Sequence, residues 1–444
     1  MSPHAARVVE GELLWKDEEP KGGQYPAGLM TFWACLVIEA GVSLRGVERI
    51  LLVLNETFGL RLPIPDWTTG RTWILRLGLW ELRRPLPKAG PGVRWGWVAD
   101  HAVQIGTLKV LLVLGVRLEM LPKTGPWDPL QMQDMQLIGL IPMSPSNAKA
   151  VDEALETLIA RTGLPDVIVN DLGADLHGGV KRFCERHPET LEIYDAAHKG
   201  ACLLKARLEK DEHWKKFQSL CGQTRVQVVQ TELACVMPPR LRMKSRYMNL
   251  DPVLSWAVWA WGLLRESRAG RPPLDITAAR MEEKLSWLDE FEEKLPEWLE
   301  WLEQIEAMLE TVRQQGHSRE TPALLKSRMP AASYSSTQLL AEELHAFVSG
   351  YSNRVQPFER LPGSSEVLES TQGKLKTLER QQSQEGFTRF VLGIGACLGN
   401  ALDRMAEAAQ AVTNKLVEKW SDVHLGDTLA SRRCKARSCA TEFR

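Results

Sequence analysis

The chain has 444 residues, with 55 Lys and Arg against 56 Asp and Glu, so its net charge is close to zero. This length exceeds the roughly 250 to 300 residues at which one hydrophobic core stops growing, so two or three domains are expected. The near-neutral total excludes any argument for nucleic-acid binding from net charge, and only an uneven distribution can support one. The eight cysteines include no CxxC pair, which argues against a zinc site and a secreted disulfide framework.

No apolar run approaches the 18 or more residues of a membrane span, and the N-terminus lacks the basic and apolar segments of a signal peptide. We therefore expect a cytoplasmic protein with no membrane partner. Any further statement about its partners depends on the order of its elements and on where its charges lie.

Residues 1–88 form a predicted helical region, and residues 41–95 hold nine Lys and Arg against four acidic residues. The segments SLRGVERILLVLNETFG (43–59) and GRTWILRLGLWEL (70–82) predict two short helices around a tight connector. Such a pair fits a helix-turn-helix whose second helix enters the major groove of DNA. An ordinary packed helix pair gives the same pattern, so both interpretations stay open. The candidate DNA contacts on the second helix are Arg71, Thr72 and Arg76.

The segment 93–210 predicts the first part of an α/β catalytic core. Three apolar segments, WGWVADHAVQIG, TLKVLLVLGVRL and MQLIGLIPM, predict three successive strands. An amphipathic helix, the short strand DVIVN, a second helix and the strand LEIY follow. The order βββαβαβ is that of an RNase H-like fold, in which a three-stranded meander precedes parallel strands with crossover helices on a mixed sheet.

The rest of the chain is predicted to be helical. Residues 211–352 form an all-α insertion, and its segment 281–310 carries eleven acidic residues against two lysines. Residues 353–420 return to the catalytic core as C-terminal helices, and residues 421–444 are a basic tail. At most one insertion tryptophan is expected to stack on an unpaired base, and the others are expected in the core. The seven insertion tryptophans are Trp214, Trp256, Trp259, Trp261, Trp287, Trp298 and Trp301.

Three aspartates surround the strand DVIVN, and one of them closes it. Asp171 stands at the carboxyl end, where strands of open sheets present ligands. Asp166 opens the strand at the opposite edge, and Asp175 is expected to cap the following helix. Asp100 lies in the first strand, so in the RNase H-like order its carboxylate meets that of Asp171. Hard divalent cations take carboxylate oxygens, so this pair with a third acid predicts a Mg²⁺ or Mn²⁺ site.

The third acid is expected on the helix EVLESTQGKLKTLERQ, which follows the insertion. Its apolar stripe leaves Glu369 on another face together with Gln372, Gly373 and Lys376. Glu366 stands in the first turn, where the helix dipole explains an acid, so we predict Glu369 as the ligand. Gly373 would let a backbone or substrate approach closely. The predicted buried stripe is Leu368, Thr371, Leu375 and Leu378.

Five blocks of the sequence resemble bacterial DDE transposases, the insertion-sequence transposases of the RNase H-like superfamily. The blocks are WVADHAVQIGTLKVLLVLGV, DVIVNDLGADLHGGVKRF, YDAAHKGACLLK, PPRLRMKSRYMNLDPVLSWA and SSEVLESTQGKLK, and the similarity covers most of residues 40–400. The resemblance implies that Asp100, Asp171 and Glu369 bind two Mg²⁺ or Mn²⁺ ions. It also implies strand cleavage at element ends, transfer of the 3′-hydroxyl into target DNA, and a homodimer or higher oligomer on double-stranded DNA in the nucleoid.

The sequence departs from that family at two places. The run NDLGADL stands where an SDGG-like run is common, and the insertion is strongly acidic. Two other functions therefore stay open: a decayed or domesticated DNA-binding protein without strand transfer, and an RNase H-like nuclease. The helix-turn-helix and the insertion favour the transposase over the nuclease.

Basic residues beyond the N-terminal region extend the predicted DNA surface. His198 and Lys199 follow the fifth strand, and the alternating run PRLRMKSR is suited to phosphate contacts. Each of these residues is also explained as a solvated side chain. The predicted contacts are His198, Lys199, Arg240, Arg242, Lys244, Arg246 and Lys376.

Overall fold

A computed structural model of the chain describes residues 19–20, 23–105, 108–240, 250–271, 276–379 and 388–425. The chain divides into two compact units. The first comprises Met1–Leu121, Pro129–Ile193 and Ser365–Arg444, and the second comprises Pro122–Asp128 and Tyr194–Ser364. Within the described residues, no helix combines the length and the apolar character needed to cross a membrane.

A five-stranded mixed sheet lies in the first unit. Its strands are β1 Trp95–Ile105, β2 Leu108–Arg117, β3 Gln136–Met143, β4 Val167–Asn170 and β5 Leu191–Tyr194. They lie in the order β3-β2-β1-β4-β5. β1 and β3 both pair antiparallel with β2, whereas β4 pairs parallel with β1. The predicted mixed α/β fold with five strands is confirmed, and this order is compatible with an RNase H-like fold.

Helices make up most of the remaining described chain. Those of the first unit are α1 Ala27–Ile38, α2 Leu44–Phe58, α3 Trp67–Arg83, α4 Ala148–Thr162, α5 Ala174–Arg186, α13 Glu366–Glu379, α14 Gly393–Ala396, α15 Ala401–Ala411 and α16 Asn414–His424. Those of the second unit are α6 Ala196–Leu208, α7 Glu212–Val228, α8 Leu250–Arg268, α9 Ala278–Leu285, α10 Lys294–Gln315, α11 Thr321–Arg328 and α12 Ser335–Ser352.

Odd-numbered and even-numbered residues of β1 face opposite sides of the sheet. Trp95, Trp97 and Ala99 share a buried core with Ile168 of β4 and with apolar residues of α4 and α5. Because side chains alternate along a strand, the even-numbered residues of β1 face the opposite side. Both faces are covered, which explains why β1, β2 and β4 read as nearly continuous apolar runs.

α3 is the central helix of the helical layer in the first unit. It contacts α1, α2, α14, α15 and β3, and within its span only Thr68 and Arg83 are exposed. α14 approaches closely, because a Cβ on Gly78 would overlap the carbonyl of Leu392. A recognition helix needs one open face to enter a DNA groove, and α3 lacks one. The helix-turn-helix and the ordinary helix pair both stay predictions.

The second unit is held by an aromatic core. The rings of Trp214 and Trp298 meet edge-on with centroids 5.1 Å apart, and Phe217 contacts both. The indole N–H of Trp298 donates a hydrogen bond of 3.1 Å to Asp211, whose carboxylate also caps α7. The buried indole N–H of Trp298 therefore has an acceptor, because buried polar groups need a hydrogen-bond partner. That acceptor is the carboxylate that caps α7.

Candidate functional site

Asp100 and Asp171 come from neighbouring parallel strands. β1 and β4 pair in a register that sets Val98 opposite Val169. Continued by two residues, this register sets Asp100 opposite Asp171, which directly follows the last residue of β4. Neighbouring strands lie about 4.8 Å apart, so this continued register would bring Asp171 near Asp100, which lies midway along β1.

The face that Asp100 occupies follows from alternation along β1. Trp97 and Ile168 lie opposite each other and both face the core under α4 and α5. Alternation from Trp97 assigns Asp100 to the other face. Asp171 follows the last residue of β4, and a Cβ on Gly173 would lie 3.2 Å from its Oδ1 and 3.9 Å from Oδ1 of Asp175. Asp100 lies within β1 and Asp171 directly follows β4, and that their carboxylates meet stays a prediction.

Helix α13 packs on the face of Asp100 and contacts β1. Gln372 of α13 donates a hydrogen bond of 2.9 Å from Nε2 to Oδ2 of Asp100. The other carboxylate oxygen of Asp100, Oδ1, accepts the backbone N–H of His101 at 2.6 Å. The orientation of α13 is as the sequence predicted, because the buried stripe is confirmed. Its members Leu368, Thr371, Leu375 and Leu378 are at most 3% exposed.

The turn after β4 holds Asp171 by two successive side-chain to backbone hydrogen bonds. Asn170 Oδ1 accepts the N–H of Leu172, and Asp171 Oδ1 accepts the N–H of Gly173, both at 2.9 Å. Leu172 has a φ of 56°, in the left-handed region that a leucine rarely adopts. Backbone strain of this kind persists where the surroundings enforce it and is concentrated at functional sites.

The face of the sheet under α4 and α5 carries a polar cluster around Asp175. Ser146 Oγ donates to Asp175 at 2.6 Å and lies 3.2 Å from Nε2 of His101. Lys109 Nζ donates to Asp175 at 2.7 Å. Burial raises the pKa of Asp175, but the hydrogen bonds from Lys109 and Ser146 outweigh it and hold that pKa at about 2. Burial lowers the pKa of His101.

This cluster corrects the expected role of Asp175. The N-cap position of α5 is Gly173, and Asp175 stands inside the first turn with its carboxylate on Lys109 and Ser146. Asp175 is therefore a structural ion-pair partner rather than a helix cap. Sequence inspection could not find this role because Lys109 and Ser146 come from distant parts of the chain.

The donor set fits a divalent cation only in part. Asp100 and Asp171 offer the carboxylate oxygens that Mg²⁺ and Mn²⁺ prefer. Glu369 is exposed on α13, and the α13 side chain on Asp100 is that of Gln372. Across the described ranges, no three His, Cys, Asp or Glu side chains are grouped so as to hold a metal ion.

Gln372 is the site residue that the sequence did not assign. The helical period places it on the face of Glu369, and this was the available signal. Periodicity fixes how a helix is rotated, but it does not fix which turn of the helix lies against a given strand.

Arg76 has a structural role. Its Nε donates to the carbonyl of Val412 at 2.6 Å, and its Nη2 donates to the carbonyl of Ala409. These bonds satisfy carbonyl groups at the C-terminus of α15, where intrahelical donors are missing. The guanidinium is thus engaged within the fold, and a DNA contact by Arg76 stays a prediction.

Arg71 and Thr72 also interact within the first unit. Thr72 Oγ1 donates to the carbonyl of Thr68 at 2.9 Å, one turn earlier in α3. Arg71 is half-buried, with its Cζ 5.8 Å from the centroid of the Trp67 ring. Burial lowers the pKa of Arg71. Neither residue lies on an open helix face of the kind that enters a DNA groove.

The remaining predicted DNA contacts divide between the two units. Lys376 is exposed on α13 in the first unit. His198, Lys199 and Arg240 belong to the second unit, and Arg240 is exposed. The contacts predicted for Arg242, Lys244 and Arg246 lie outside the described residues.

The insertion tryptophans are mostly core residues. Trp214, Trp256, Trp298 and Trp301 are buried, whereas Trp259 on α8 is 46% exposed. All seven tryptophans lie in the described part of the chain, and among them Trp259 is the most exposed side chain. Base stacking by one of these side chains stays a prediction, and Trp259 is the side chain open to it.

Comparison with known proteins adds little to this geometry. No protein-family model and no curated protein matches the chain. Among solved structures, the chain is similar to one described as "Drosophila P element transposase strand transfer complex", with a TM-score of 0.29 and 11% identity over 97% of this chain and 87% of that chain. At this TM-score the similarity carries no argument about function.

Proposed function

We propose that the protein is a DNA transposase of the RNase H-like type, which cleaves DNA at element ends and transfers the 3′-hydroxyl into target DNA. The observation that supports this most directly is the parallel register of β1 and β4, which sets Asp100 opposite Asp171 when it is continued by two residues. The sequence blocks that resemble DDE transposases include both acids and α13. A pair of acids of this kind is suited to phosphoryl transfer on DNA.

The chemistry proposed is phosphoryl transfer without a covalent protein intermediate. Two Mg²⁺ or Mn²⁺ ions, held by Asp100, Asp171 and Glu369, would stabilise the attacking and leaving oxygens of an in-line displacement. The chain itself orients these groups, since Asx turns hold Asp171 and the Gln372 amide holds Asp100. The exposed α13 surface at Gly373 offers room for a DNA strand, because a Cβ there would meet nothing within 4 Å.

DNA contacts outside the acid pair belong to the same proposal. Lys376 is one phosphate contact, and the basic run 240–246 and residues 198–199 provide others. Because two DNA ends must be held together for transfer, a homodimer or higher oligomer on double-stranded DNA is part of the proposal.

A cleavage assay tests this function. Purified protein is incubated with Mg²⁺ and labelled double-stranded DNA taken from the two flanks of its gene, together with an unlabelled target. Joined product supports a transposase. Cleavage without joining supports an RNase H-like nuclease instead, and binding without cleavage supports neither enzyme.

A decayed or domesticated DNA-binding protein is the second candidate, and one observation favours it. The α13 side chain that contacts Asp100 is a neutral amide, and cation affinity depends on the number of charged ligands. Electrophoretic mobility shifts with and without Mg²⁺ separate the candidates. Specific DNA binding that does not depend on Mg²⁺, together with no cleaved product, would establish this second function.

A further inference from the structure

Helix α2 carries apolar side chains on two opposite faces. Its inner face, formed by Leu44, Val47 and Leu51, is at most 2% exposed. On the outer face, Leu52 is 41% exposed and Val53 is 56% exposed. A helix that packs on one side only is expected to be polar on the other side. Adjacent exposed apolar side chains therefore indicate a surface that a partner covers.

Charged residues flank this apolar pair along the helix. Arg49 stands three residues before Leu52, Glu56 stands three residues after Val53, and both charged side chains are exposed. At 3.6 residues per turn, all four side chains lie within roughly a third of the helix circumference. We call these four residues the α2 stripe. It runs from a base through an apolar pair to an acid.

The α2 stripe is complementary to itself. In a pair of copies related by a twofold axis, a residue that faces a second residue of the partner is itself faced by its own counterpart of that second residue. Arg49 and Glu56 are equally distant in sequence from the midpoint between Leu52 and Val53. Two antiparallel α2 helices centred on this midpoint would pack Leu52 against the partner's Val53. They would also set Arg49 opposite the partner's Glu56 at two symmetric places.

A second copy fits this surface better than DNA does. DNA phosphates attract Arg49 but repel Glu56, and the apolar pair offers them no hydrogen bond. A second copy gives each member of the stripe a partner of matching chemistry. The surface is also preformed, because the Ser43 side chain caps the N-terminus of α2. A preformed surface loses little conformational entropy on binding.

We propose that α2 forms a twofold-symmetric dimer interface with α2 of a second copy of the chain. The Leu52 and Val53 side chains form its apolar centre, and two ion pairs between Arg49 and Glu56 of opposite copies flank that centre. The proposed function requires at least two copies on DNA but assigns them no contact surface. This inference goes beyond it by naming that surface.

Sedimentation equilibrium of the DNA-free protein without Mg²⁺ measures the dissociation constant of the dimer. Arg49→Glu sets like charges opposite each other at both symmetric places, and so does Glu56→Arg. Each variant is expected to raise the dissociation constant about tenfold or more. Leu52→Gln should also weaken the dimer, because it buries an amide at the apolar centre. Leu339→Gln is the matched control, since Leu339 on α12 is 59% exposed, and it should leave the dissociation constant unchanged.

A mixture of the two charge variants tests the antiparallel register. One copy with Arg49→Glu and one copy with Glu56→Arg regain opposite charges at both places. The mixture should therefore form a dimer more tightly than either variant alone, which a fluorescent label on one variant detects. The double variant Arg49→Glu, Glu56→Arg should dimerise like the wild type for the same reason. A variant that fails to fold would not be rescued in this way.

The outcomes separate this inference from the proposed function. If the wild type is monomeric at every concentration, or if its dimer is insensitive to both charge variants, the inference is wrong. Loss of DNA binding with unchanged self-association in Arg49→Glu would assign the surface to nucleic acid and also overturn it. If the dimer behaves as described but DNA is not joined, the inference stands and the proposed function fails. Joined DNA from a protein whose dimer ignores the charge variants would support the proposed function and overturn the inference.

Discussion

Asp100 and His101 are consecutive in β1 but face opposite sides of the sheet, and the acids on those two sides are held differently. On the His101 side, Asp175 is bonded to the ammonium of Lys109 and to Ser146. On the Asp100 side, the carboxylate accepts hydrogen bonds from an amide and from a backbone N–H. Asp175 is thus paired with a cation within the fold, whereas under the proposed function the Asp100 carboxylate serves a ligand.

The largest stability effect should come from removing the cation on the structural side. Lys109→Met leaves Asp175 partly buried without its ammonium partner, and we expect a loss of roughly 2 to 3 kcal/mol in unfolding free energy. Fully buried pairs lose about 3 to 5 kcal/mol, and both of these side chains retain some exposure. Urea unfolding at pH 7 measures this loss.

The matched control lies on the other side. Lys376→Met removes an exposed lysine of α13 and should change stability by less than about 0.5 kcal/mol. Equal losses from the two variants would mean that the two faces do not differ in the way described.

The pH dependence of stability sharpens the same comparison. The pKa of Asp175 is about 2 in the folded protein, below its ordinary value near 4, because Lys109 and Ser146 stabilise the carboxylate against the effect of burial. A depressed carboxyl pKa contributes stability that is present above the unfolded value and is lost as the pH falls through the folded value. The contribution is about 2 kcal/mol.

Wild type and Asp175→Asn should therefore differ by about 2 kcal/mol at pH 5 and above, and the difference should shrink between about pH 4 and pH 2. Denaturant unfolding across this range provides the measurement. Lys109 and His101 both face the same carboxylate. A constant difference down to pH 2 would contradict the assignment.

The smallest effect is expected at Gly373, on the Asp100 side. A glycine inside a helix costs about 0.5 to 1 kcal/mol relative to alanine, and a Cβ here would meet nothing within 4 Å. Gly373→Ala should therefore stabilise the protein by that amount. If DNA approaches this surface, cleavage should fall although stability rises. A gain in stability with unchanged cleavage would remove Gly373 from the proposed substrate surface.

Sequence patterns predicted the sheet because its strands are apolar on both faces and separated by clear turn and helix signals. They also predicted the orientation of α13, whose stripe from Leu368 to Leu378 is buried. They did not predict that Gln372 meets Asp100, because the axial position of a helix depends on packing against partners elsewhere in the chain.

The N-terminal helices show the same limit. The sequence pattern that predicts α2 and α3 is local. In contrast, α14 and α15, which cover α3, follow it by more than 300 residues. No window around Arg76 contains Val412 or Ala409, so its structural role is visible only in the fold. A basic residue outside an apolar stripe is therefore weak evidence for a DNA contact.

The central claim is that Asp171 acts in chemistry and Asp175, four residues later, acts in the fold. The most direct measurement compares DNA cleavage with Mg²⁺ by Asp171→Asn and Asp175→Asn at a temperature where both variants are folded. We predict that Asp171→Asn lowers cleavage by roughly 10³-fold, the scale of losing one electrostatic group at an active site, with little change in melting temperature. Asp175→Asn should lower the melting temperature and retain cleavage. Equal loss of cleavage from the two variants would contradict the account.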